Sequence, residues 1–97
     1  MPPEARKNGS NGQRILIVDD DPGQRSLLES FLRSQGFETE TVASGEKALE
    51  ALRAGGISMM ISDVRMPGLS GLETMRLARQ EHVLLPILLV TAYADIR

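Results

Sequence analysis

Apolar residues in this chain fall into short unbroken runs separated by stretches of helical spacing. The first run, Arg14 to Val18 (RILIV), is rich in β-branched residues, as in a strand buried on both faces. Asp21 then suits a helix N-cap, Pro22 the first helical position, and Gln24 the far end of a capping box. Leu27, Leu28, Phe31 and Leu32 recur at helical spacing, and Gly36 suits a left-handed stop. Phe37 to Val42 alternates apolar with polar residues, which predicts an edge strand with one wet face. Ser44 can cap a second helix whose apolar side holds Ala48, Leu49 and Leu52, and Gly55 and Gly56 end it. Ser58 to Ser62 (SMMIS) predicts a third strand running into Asp63. A loop with Pro67 and Gly68 follows. Ser70 and Glu73 form a capping box for a third helix, with Leu72, Met75 and Ala78 inward. Pro86 opens a fourth apolar strand, Ile87 to Val90, ending at Thr91. Residues 1–13, with two prolines, two glycines and no apolar pattern, predict a flexible tail before a single domain over 14–97.

The order βαβαβαβ implies an α/β fold, a doubly wound parallel sheet with right-handed crossovers and helices on both faces. Function in such sheets sits at the carboxyl ends of the strands. Three of the four strand ends carry polar chemistry: Asp19-Asp20-Asp21, Asp63 and Thr91.

Composition narrows the classes. The chain has 97 residues and no cysteine, which excludes disulfides, thiolate metal sites and cysteine nucleophiles. His82 is the single histidine, so a multi-histidine site within the chain is excluded; a surface loop is its expected place, not a phosphorelay role. The net charge of −2 gives no basic footprint for nucleic acid. No apolar run is long enough for a membrane span, and the opening residues carry no secretory signal, so a cytoplasmic location is expected. Met59 and Met60 suit core filling, and Arg76 and Arg79 a solvated helix face.

The acids carry the chemistry. If the first and third strands are neighbours, Asp19, Asp20 and Asp63 converge in one crevice. Crowded like charges are costly unless a cation neutralises them, and Mg²⁺ suits an all-oxygen donor set. A carboxylate beside bound Mg²⁺ can attack phosphorus and form an acyl phosphate. The Thr91 hydroxyl and backbone N–H groups can hold the other phosphoryl oxygens. Taken singly, each residue has a plainer explanation: Asp21 caps a helix, Asp19 and Asp20 are solvated or capping, and Thr91 is the polar end of a strand.

From Arg14 onward the chain resembles the receiver domain of bacterial two-component response regulators. The matching segments are ILIVDDD (15–21), ISDVRMPGLSGLE (61–73) and ILLVTAYADI (87–96). The last two look most like receivers of nitrogen-regulation-type activators. The resemblance implies a flavodoxin-like sheet of strand order 2-1-3-4-5. It implies Asp63 as phosphoacceptor, taking the phosphoryl group from a histidine kinase or phosphotransfer protein. It implies Asp19 and Asp20 as the acidic pair that, with Asp63 and the backbone carbonyl of Arg65, holds Mg²⁺. Thr91 becomes the switch hydroxyl, and Ala92 leaves space and an N–H near the phosphate. Pro67 and Gly68 shape the loop after the acceptor. Arg65 and Tyr93 sit where receivers vary the side chains that tune acyl-phosphate lifetime.

The match departs from a complete receiver at its end. The fifth strand with its lysine, the aromatic switch partner and the last helices are missing, and neither Lys7 nor Lys47 can replace that lysine. The sheet is therefore expected to be incomplete, with the fourth strand at an open edge that invites self-association. The leading expectation is a phosphoacceptor signalling module that is not a turnover enzyme, with an output domain on a longer chain. The alternative is a receiver-like interaction module that no longer runs the phosphorylation cycle. A phosphohydrolase of the haloacid dehalogenase type matches only formally, through Asp19-x-Asp21.

Overall fold

The computed structural model describes residues 14–91; the expected tail (1–13), Ala92 and Tyr93 lie outside the described residues. The chain runs β1 (Arg14–Val18), α1 (Pro22–Ser34), β2 (Glu38–Val42), α2 (Gly45–Ala54), β3 (Met59–Asp63), α3 (Gly71–Glu81) and β4 (Ile87–Val90). All four strands are parallel, in the order β2-β1-β3-β4. The α/β class and the adjacency of β1 and β3 are as expected from the sequence.

The helix ends follow local chemistry. Phe37 donates its N–H to Leu32 O at 3.1 Å and Gly36 donates to Arg33 O at 3.0 Å, closing α1 in a Schellman motif. Gly36 sits at φ 94°, a conformation that side chains with a Cβ resist. Ser70 and Glu73 form the expected capping box at α3. The box expected at α1 does not form. Asp21 caps α1 by accepting from Gly23 N, and its own N–H, which Gln24 would have taken, is donated to the Asp19 carboxylate.

One face of the sheet is buried against α2 and α3. Leu16, Val18 and Met60 pack there with Ala48, Ala51, Leu52, Met66 and Ala78. Ile15, Ile17 and Ile61 alternate with these along the strands and are buried on the opposite side. The side of α1 carrying Leu27 and Phe31 is left open, with these residues 72% and 62% exposed. The helical spacing was a sound guide to the helix but not to burial, because among the described residues α1 packs mainly against β2 and β1.

Two further expectations are corrected. Ala78 lies inward on α3 as expected, but its buried companions are Gly71 and Thr74, whereas Leu72 is half exposed and Met75 half-buried. The helix approaches the loop before it and α2 so closely that small residues fit the contact. Arg79 is not part of a solvated face. Its guanidinium donates to the carbonyl oxygens of Val83, at 3.1 Å, and of Leu85, and so holds the turn between α3 and β4. His82 is the C-cap residue of α3, half-buried.

Candidate phosphoryl-acceptor site

The site is assembled by strand register. β1 and β3 pair with Val18 opposite Ser62, so the next residues, Asp19 and Asp63, emerge side by side at the carboxyl edge. On the other flanks, Asp19 N donates to Val42 O at 3.2 Å and Val64 N donates to Val90 O at 2.9 Å. These bonds tie both acidic ends into the sheet. Asp63 and Asp19 are buried, at 5% and 8% exposure, and Asp20 is exposed.

Asp19, Asp20 and Asp63 each offer a carboxylate oxygen within 4.8 Å of the other two. Among the described residues none of the three joins an ion pair. Burial holds the Asp19 carboxyl above its ordinary value of 3.8, and the charges of Asp63, Asp20 and Asp21 push the same way; the N–H of Asp21 opposes them. A buried carboxyl whose charge is resisted by its surroundings, in an all-oxygen cluster, is the donor chemistry a hard divalent cation satisfies.

An open cleft of about 510 Å³ leads to the cluster, lined by Asp20, Asp21, Gln24, Asp63, Arg65, Met66 and Pro67. Arg65 stands at its rim, and its backbone N–H donates to Asp63 Oδ1 at 3.4 Å. Gly68 turns the loop at φ 75°. A second cavity of about 190 Å³ has Asp19, Asp63, Leu28 and Thr91 among its lining, which places Thr91 on the same edge as the acids. Asp21 is occupied as a helix cap, and the pair that joins Asp63 is Asp19 with Asp20, not Asp19-x-Asp21.

Sequence reasoning missed three residues that shape this edge. Arg25 reaches from α1 to the carbonyl oxygen of Asp19 at 2.8 Å. Gly71 lies against the backbone of Asp63 and Val64, and Gly45 against Thr74 and Leu69. A glycine directly after a strong cap, as in Ser70-Gly71, was the available signal for close backbone approach; for Arg25 there was none.

A parallel α/β sheet with three acids gathered at its carboxyl edge, an open cleft above them and a threonine at the end of the adjoining strand defines a receiver-type domain. The chain belongs to the response regulator receiver domain family, which it matches over residues 15–97. Receivers are the phosphoacceptor modules of two-component systems. Among curated relatives, the transcriptional regulator NtrC of Escherichia coli is 37% identical over 82 residues, 84% of this chain and 18% of NtrC. The response regulator MtrA of Mycolicibacterium smegmatis is also 37% identical, over 86% of this chain and 36% of MtrA. The nitrogen-regulation resemblance is therefore matched by a second type of regulator at equal identity. The chain spans less than a fifth of the NtrC length.

Solved structures agree on the fold. The response regulator TrrA of Thermotoga maritima, in complex with Mg²⁺ and BeF, has a TM-score of 0.81 and 41% identity, covering 88% of this chain and 74% of TrrA. TrrA bound to the histidine kinase ThkA superposes with a TM-score of 0.80, over 88% of this chain and 73% of that one, again at 41% identity. The chemotaxis protein CheY4 of Vibrio cholerae gives 0.76 at 33% identity, covering 78% of this chain and 65% of CheY4. No helix among the described residues is long and apolar enough to cross a membrane.

Proposed function

We propose that this chain accepts a phosphoryl group on Asp63 from the phosphohistidine of a histidine kinase or phosphotransfer protein. The observation that carries the proposal is the meeting of Asp19, Asp20 and Asp63 within 4.8 Å at one strand edge. A carboxylate oxygen of Asp63 attacks phosphorus, the bond to the donor nitrogen breaks, and an acyl phosphate remains. Asp19, Asp20, Asp63 and the backbone carbonyl of Arg65 would hold Mg²⁺, which when bound would supply positive charge to neutralise the acids and the incoming phosphoryl oxygens. The Thr91 hydroxyl takes one phosphoryl oxygen, and the backbone N–H of Ala92 another. The domain is a signalling module that assists its own phosphorylation and dephosphorylation and turns over no separate substrate. Its output belongs to a longer chain of the kind NtrC and MtrA represent, and the module acts in the cytoplasm. The interaction-only alternative is not favoured, because a module without the phosphorylation cycle has no use for three mutually repelling acids.

Incubation with Mg²⁺ and acetyl phosphate, followed by intact mass, tests this reading. One added phosphoryl group, dependent on Mg²⁺ and lost in Asp63→Asn, is the expected result. A folded chain that gains no adduct, or gains one in the Asn variant, would refute it.

A second part of the proposal concerns the sheet edge. Among the described residues β4 pairs only with β3, and Leu88 on it is half exposed. We propose that the 97-residue chain self-associates through this edge, since unpaired apolar strands template pairing with another chain.

A further inference from the structure

We propose that Arg25 is a positioning residue of the acidic site, fixing Asp19 for cation binding through that residue's main-chain carbonyl. The inference rests on the reading of Asp19 as part of a Mg²⁺ site. Three bonds define where Asp19 stands. Its N–H donates to Val42 O at 3.2 Å, its Oδ1 accepts from Asp21 N at 3.0 Å, and its carbonyl oxygen accepts from Arg25 Nη1 at 2.8 Å. The first belongs to the sheet and the second to the turn. The third is the only one of the three supplied by a side chain, and it comes from the second turn of α1.

Arg25 could have paired with a carboxylate, since the acids are close by. Instead, among the described residues, it forms no ion pair and directs its guanidinium at a neutral carbonyl. Its own backbone N–H is bonded to Asp21 O at 3.0 Å, so the side chain leaves a helix turn anchored beside the acidic loop. The bond is charge-assisted and clips the end of β1 to α1. The Asp19 carboxylate then stays aimed at Asp20 and Asp63 without being neutralised by the arginine.

Two roles for Arg25 predict opposite signs. If its charge merely adds to the local potential, deleting it removes a repelling cation and Mg²⁺ binds more tightly. If it positions Asp19, deleting it loosens the ligand set. Groups that orient metal ligands typically affect affinity by about 10–100-fold.

The test is calorimetric titration of Mg²⁺ into the 97-residue chain and its variants, with thermal melts to establish that each is folded. Arg25→Met keeps the aliphatic stem and removes the donors; about a tenfold loss of Mg²⁺ affinity is expected. Arg25→Lys retains a cation and a donor and is expected to recover part of the loss. Arg33→Ala, which removes a positive charge from the exposed end of the same helix, is expected to leave affinity within about twofold, as solvent screening dictates. Unchanged or tighter binding in Arg25→Met overturns the inference, as does a lysine variant no better than methionine. Should Arg25→Met not fold, Arg25→Gln, which keeps a neutral donor, makes the same comparison with a smaller expected loss. Absence of Mg²⁺ binding in the parent chain overturns the site reading itself and this inference with it; normal binding in the parent and in Arg25→Met overturns the inference alone.

Discussion

A Cβ placed on Gly71 would lie 2.1 Å from the carbonyl oxygen of Asp63 and 2.9 Å from Val64 Cα. The first turn of α3 is thus pressed directly against the backbone of Asp63 and Val64. Gly71→Ala would ordinarily stabilise a helix by up to ~1 kcal/mol. Here the obstructing atoms are main chain and cannot rotate away, so overpacking wins. A net loss of about 2 kcal/mol is expected in urea denaturation, together with weaker Mg²⁺ binding. An alanine variant as stable as the parent would contradict this packing.

The equivalent contact at Gly45 has a different remedy. Its Cβ would meet the Thr74 hydroxyl at 2.1 Å and Leu69 Cβ at 2.9 Å, both side chains. Gly45→Ala alone is therefore expected to be strongly destabilising. Thr74→Ala alone loses the buried hydroxyl bond to Ser70 O, at 2.8 Å. Combined, the two should clash less, giving a favourable coupling of about 1 kcal/mol in a double-mutant cycle. Strict additivity would show that the two positions do not meet.

Asp19 sets a pH signature. Burial, with the neighbouring acids, raises its carboxyl above 3.8 in the folded chain. Between 3.8 and that raised value the native state holds a proton that the unfolded chain has released. In the absence of a divalent cation, stability should therefore fall as pH rises through this window, and the penalty is complete above it. Asp19→Asn keeps an acceptor for Asp21 N–H and removes the titration. The variant is expected to gain on the parent as pH rises from 3.8, in metal-free urea titrations compared at each pH. A difference that does not change with pH would argue against a raised Asp19.

At the sheet edge, a charge is the natural block to pairing. Leu88 is 49% exposed on β4, so Leu88→Lys should cost little, within about 1 kcal/mol, and shift the chain towards monomer. Light scattering after size-exclusion chromatography reads the change. If the parent is monomeric at high concentration, self-association through β4 is wrong.

How much of this was legible beforehand varies by element. Strands β1 and β4 are bounded by their own apolar runs, and α2 and α3 by Ser44, Gly55 and Ser70, so local pattern and capping chemistry place them. The acids Asp19, Asp20 and Asp63 and the threonine at position 91 stand at strand ends, where a parallel sheet puts its chemistry, and their shared edge follows from topology. Burial was harder to read. Leu27, Phe31 and Leu72 sit at helical spacing, yet they are exposed, because burial depends on what lies opposite and not on period alone.

The amino-acid order by itself determined the βαβαβαβ succession, most of the caps, the acids at the strand ends and the family to which the chain belongs. Only the tertiary structure decided which residues support them. Pairing of Val18 with Ser62 brings Asp19 beside Asp63, the approach of α3 demands glycine at position 71, and the packing of α1 delivers Arg25 to Asp19. Local propensity acts within a few residues, whereas strand register, close backbone approach and a side chain bridging elements exist only once distant segments have met.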